Sequence, residues 1–143
     1  MKKSALVLTL LAVLCLCSSV FAGDWNLAEL KTQAAKAIPN GQEIGAAADK
    51  DSAFVGMQAN GLNYQFTLAS DQESQMPDAQ VLEYKGHKAF FFEPGMPGSG
   101  GLMILLDSKK SLTILCMAGF DSDKEITSEN MTAIADKMNL GAL

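Results

Sequence analysis

Two stretches near the end of this 143-residue chain, Leu102 to Asp107 and Ser111 to Ala118, are almost continuously apolar, and only Ser108-Lys109-Lys110 separates them. Consecutive side chains of a β-strand point to opposite faces, so such runs fit strands that are covered on both sides. Phe90-Phe91-Phe92 makes the same demand, because Phe91 must face away from Phe90 and Phe92. Any fold for this chain has to shelter two sides of these strands.

The remaining patterning is one-sided. Leu62, Tyr64, Phe66 and Leu68 alternate with Asn63, Gln65 and Thr67, the period of a half-buried strand. Asn60-Gly61 joins it to Ala53–Ala59 and supplies the positive φ angles of a tight hairpin. A segment around Gly45 to Ala48 reads as a short strand or coil before the turn at Asp49-Lys50-Asp51-Ser52. Val81–Lys85 and Lys88–Glu93 form a second hairpin around Gly86-His87, and Pro94 to Gly101 reads as a flexible loop.

Helices are expected at either end of these strands. Asn26 caps the first, with Glu29 at its third position and Trp25 placed to staple onto Leu30. Leu27, Leu30, Ala34 and Ile38 mark one face, and Pro39-Asn40-Gly41 ends it. Thr127 caps the second, Ile126 staples onto Met131, and Met131, Ile134, Ala135 and Met138 form its apolar stripe. Glu129 and Lys137 suit the two ends of its dipole. Short links favour antiparallel pairing. The expected fold is α+β: a single antiparallel sheet of about six strands with an N-terminal and a C-terminal helix packed on one face.

Residues 1–22 read as a cleaved secretory signal. Lys2 and Lys3 precede a run from Ala5 to Cys17 broken only by Thr9, and Ser18-Ser19-Val20-Phe21-Ala22 offers a cleavage site after Ala22. Leu14 and Leu16 stand before Cys15 and Cys17, where a lipoprotein signal needs a small residue. Residues 23–143 then form one domain, exported to the periplasm or outside the cell, with no stable membrane anchor after processing. Loss of Lys2 and Lys3 leaves nine lysines, no arginine and 16 acidic residues, a formal charge of −7. Such a surface repels nucleic acid.

Processing also removes Cys15 and Cys17. Cys116, within Leu112–Ala118, has no disulfide partner left and reads as a buried hydrophobe. His87, the only histidine, sits in an expected turn between lysines with no orienting partner. The methionines are scattered, unlike a copper(I) site. Asp121, Asp123 and Glu125 lack the glycine and glutamate of a calcium loop, and Gly95 to Gly101 lead into a strand rather than the helix a phosphate cradle needs. No catalytic set, cofactor or metal site is expected. A carboxylate pair such as Glu93 with Asp107 could form across strands.

What remains is surplus apolar surface. Two helices of about 12 residues, about 18 Å each, can cover both faces of such a sheet only with difficulty, so an apolar cavity, a protein partner or closure of the sheet on itself must take the rest. Phe91, Leu105 and Met117 are the candidate contact or cavity residues. Pro94, Met96 and Pro97 form a candidate contact loop, with the methionine held outward between prolines. The leading expectation is a non-enzymatic accessory or binding domain acting through an unknown protein partner or as a homodimer. The alternative is a carrier of an apolar small ligand or lipid between sheet and helices. Over Val81 to Leu140, hairpins followed by a packing helix are similar in strand order, without a family motif, to periplasmic half-barrel carriers of the lipoprotein-carrier type, which implies such a ligand.

Overall fold

The computed structural model describes residues 25–70, 78–107, 109–119 and 124–143, so the signal region lies outside the described residues. Helix α1 (Leu27–Ala37) starts as its cap residue dictates: the Glu29 amide donates to Asn26 Oδ1 at 3.0 Å. Strands β1 (Gln42–Ala48), β2 (Ser52–Ala59) and β3 (Leu62–Ser70) follow as a meander. Strands β4 (Gln80–Tyr84), β5 (His87–Phe92), β6 (Ser99–Leu105) and β7 (Lys110–Ala118) form a second one. Helix α2 (Ser128–Ala135) is shorter than its stripe suggested, leaving Lys137 beyond its last turn. A 3-10 turn at Leu140–Ala142 comes after it, so α2 is not the terminal element.

The two meanders join through β3 and β7 into one antiparallel sheet of order β1-β2-β3-β7-β6-β5-β4. The sheet has seven strands rather than about six. The extra one is β1, an edge strand of small residues with a bulge between Glu43 and Gly45 that breaks its alternation. Asn60 and Gly61 take φ of +52° and +76°, as the Asn-Gly turn requires. The β4–β5 turn is Lys85-Gly86, φ +50° and +81°, one residue earlier than Gly86-His87. His87 therefore begins β5, and its Nδ1 lies 3.0 Å from the Leu105 carbonyl.

Register assigns each strand residue to a face. Val55 opposes Phe66, Phe66 opposes Ile114, Ile114 opposes Leu102, and Leu102 opposes Phe91. This inner face meets Leu30, Ala34 and Ala37 of α1 and Met131 and Ala135 of α2 in one hydrophobic core. Both helices thus pack on the same face. Gln33 ties them together: its Oε1 accepts the Asn139 amide at 2.7 Å, just beyond α2. Tyr84 Oη donates to Asp136 Oδ1 at 2.8 Å, and Lys85 Nζ lies 3.0 Å from the same carboxylate, so the β4–β5 turn is pinned to the end of α2.

Candidate contact surface

The other face of the sheet has a different composition. Outward positions on β2 are Phe54, Gly56 and Gln58; on β3, Asn63, Gln65 and Thr67; on β7, Thr113, Leu115 and Met117. No outward position on β1, β2, β3, β6 or β7 carries an Asp, Glu or Lys. Charge on this face begins only at the far edge, where Glu83 opposes Lys88. The described ion pairs lie elsewhere: Lys31–Glu43 between α1 and the inner side of β1, Lys85–Asp136 at α2, and Lys50–Asp51 in a turn.

Apolar groups interrupt the neutral polar ones. The bulge in β1 turns Ile44 onto the outer face, where its Cγ1 would lie 3.1 Å from a methyl added to Gly56. Ile44 is 55% exposed, and Phe54, two residues from Gly56 on the same face, is 38% exposed. Leu115 and Met117, across β3 on the same face, are half-buried. Polar neighbours are paired within the face: Gln58 Nε2 donates to Asn63 Oδ1 at 3.2 Å and Gln65 Nε2 to Thr67 Oγ1 at 3.3 Å. Phe90 and Met103, on the same face further along, are buried. The open part is therefore β1–β2–β3–β7.

The candidate residues do not share one cavity. Phe91 lies on the inner face against Gly100, whereas Leu105 and Met117 lie on the outer face at opposite ends of the β6–β7 pair, opposite Ser111 and Ser99. The register decides this: Phe91 opposes Leu102, an inward residue. The structure instead groups Met117 with the loop. Met96, Pro97, Ser99, Asn63 and Met117 line a cleft of about 240 Å³ at the end of the open face. Met96 is 43% exposed, and Pro94 and Pro97 are exposed beside it.

That loop is anchored rather than free. The Ser99 amide donates to the Met96 carbonyl at 3.2 Å and the Ala118 amide to the Gly98 carbonyl at 2.8 Å. Gly95 and Gly98 take φ of +83° and +66° to make the bends. Gly100 and Gly101 belong to β6, not to the loop, and both are buried. Their missing side chains make room for Ile126 on the inner face and Phe92 on the outer one.

On the inner face, a second cleft of about 450 Å³ opens between α2 and the ends of β3 and β7, lined by Leu62, Tyr64, Cys116, Ile126, Met131 and Ile134 among others. Burial pushes the Cys116 thiol up to about 11, the opposite of what a nucleophilic or ligating thiolate needs. Desolvation also raises the Tyr64 phenol. Glu93 and Asp107 sit at opposite ends of the β5–β6 pair and form no carboxylate pair. Among the described residues, no three His, Cys, Asp or Glu side chains converge where they could hold a metal ion. Asp121 and Asp123 lie outside the described residues. None of the described helices is long and apolar enough to cross a membrane. No family model matches the chain, nor does any curated protein or solved structure.

Proposed function

We propose that this chain is a small exported, non-enzymatic domain that works by contact with another protein, through the outer face of β1–β2–β3–β7. The observation that carries the reading is the uncharged face itself. In a chain of formal charge −5, the outward positions of these strands hold no ionised group, while Ile44 and Phe54 stand exposed on the same face. Depletion of charge around apolar anchors is the compositional mark of an interface core. A sheet face meant only for water usually alternates toward charged side chains.

Site-specific photo-crosslinking in the expressing cell tests this. A photoreactive residue at Phe54 is expected to capture protein, and one at Lys36, on the exposed side of α1, to capture none. Absence of any adduct from position 54 overturns the reading. Export is checked separately by the intact mass of the secreted product, expected to begin at Gly23.

The inner cleft favours a second reading, a carrier of an apolar ligand. Its walls are mostly apolar, Leu62, Ile126, Met131 and Ile134 among them, with Lys124, Glu125 and Asn130 also lining it, and its volume of about 450 Å³ lies in the range of small-molecule sites. Native mass spectrometry of freshly purified chain decides between them: a co-purifying lipid-sized mass supports the carrier, and a bare polypeptide removes it.

A further inference from the structure

We infer that the partner on the open face is a second copy of this chain, docked outer face to outer face about a twofold axis. The inference rests on the reading of that face as a contact surface and adds the identity of its occupant.

Electrostatics favours a like partner. Two copies of an acidic chain repel each other wherever their carboxylates meet. The outer face of β1–β2–β3–β7 offers two such copies an approach without ionised groups in register. A twofold interface brings each patch against itself, so its groups must be self-complementary. A charged side chain near the axis fails that condition, because there it meets its own sign. Gln58, Asn63, Gln65, Thr67 and Thr113 meet it, because every amide and hydroxyl is both donor and acceptor.

Geometry favours face over edge. The bulge in β1 breaks the row of backbone groups that another strand would need, and it turns Ile44 onto the face. Three of the four strands run eight or nine residues. At ~4.8 Å between strands and ~3.3 Å per residue, the four cover roughly 500 Å² in projection. Two copies then bury at least about 1,000 Å² in total, the size at which specific interfaces begin. Ile44 and Phe54 on one side of Gln65 and Thr67, and Leu115 on the other, supply the apolar groups, and the cleft of Met96 and Met117 continues the patch at one end.

Sedimentation velocity on the purified chain reads the outcome. A reversible dimer at micromolar concentration is expected, and Phe54→Lys and Thr67→Glu each weaken it roughly 30-fold or more, as loss of a central anchor does. Far-UV circular dichroism of both variants is expected to match the parent, and Lys36→Glu is expected to leave association unchanged. A parent chain that stays monomeric throughout the micromolar range overturns the inference, and so does a dimer that survives both outer-face substitutions. The crosslinked adduct from position 54 separates the two levels. A mass of twice the chain supports a second copy. An adduct with a different protein alone overturns the second copy while leaving the contact surface standing, and no adduct removes both.

Discussion

Phe54 and Phe66 lie on neighbouring strands, one register step apart, yet they occupy opposite worlds. Phe66 points inward between Val55 and Ile114 and is fully buried beneath the helices. Phe54 points outward opposite Thr67 and keeps 38% of its surface in water. The same contrast runs across the sheet. Inward positions build the apolar core, with Glu43 and Lys110 only at strand ends, while outward positions mix glutamine, asparagine and threonine with a few hydrophobes and no charge on β1–β2–β3–β7. A side made only to face water would carry ions, and a side made only to be covered would not carry amides. The contact proposed above would be wetter than a core.

The sharpest way to break this comparison is to truncate both phenylalanines. Phe66→Ala leaves a cavity under α1 and is expected to cost about 3–5 kcal/mol in urea unfolding. Phe54→Ala is expected to cost no more than about 1 kcal/mol in the dilute chain, and its effect should grow with protein concentration if association stabilises the fold. Equal losses at the two positions would show that the outer face is core after all.

Gly100 and Gly101 offer the same test one methyl at a time. A methyl on Gly100 would meet Ile126 Cγ2 at 2.6 Å and its Cβ at 3.0 Å on the inner side, and the Cβ cannot move without the backbone. Gly100→Ala is therefore expected to lower stability by about 1–3 kcal/mol. Gly101→Ala presses on Phe92, which lies half-buried on the outer side and can swing outward. Its cost is expected to be about 1 kcal/mol or less, and the difference is read in the urea midpoints.

A pH scan probes the inner side alone. Burial raises Cys116 from its ordinary 9.0 to about 11, so the unfolded thiol gives up its proton first. Its contribution to stability is complete below about pH 9 and disappears as pH climbs through about 11, on the order of 2 kcal/mol in all. Tyr64, also raised by desolvation, acts in the same direction. Between those pH values the urea midpoint should fall, and it should fall less steeply in Cys116→Ala. A similarly small change is expected from Tyr84→Phe, which removes the 2.8 Å bond to Asp136 and should cost about 1 kcal/mol by the same unfolding assay.

Local chemistry made much of the fold legible. Asn26 and Thr127 cap the two helices, the second through a reciprocal box with Asn130, because each side chain bonds within its own first turn. Asn60-Gly61 turns the chain because it tolerates positive φ. Strand β1 was ambiguous, since an edge strand of glycine and alanine with a bulge shows no alternation. The start of β6 was hidden for a related reason: Gly98 bends the chain, while Gly100 and Gly101 lie in the sheet to admit rings and side chains from outside it. Three bare glycines look alike until their neighbours are in place.

The candidate site divides along the same line. The two-sided apolar strands raised the question of what covers the side away from the helices, and Met96 between prolines marked the loop beside the open face. Ile44 and Phe54 could not be singled out, because neither stands in an unusual local pattern. From the amino-acid order alone came the helix ends, the tight Asn-Gly turn, the strand period and the excess of acid, each governed by neighbours a few positions apart. Only the folded sheet decided that Phe91 turns inward, that Met117 meets the loop, and that the helices crowd one side. Those outcomes depend on pairing between strands far apart in the chain, and a shift of one residue in that pairing would exchange the two faces.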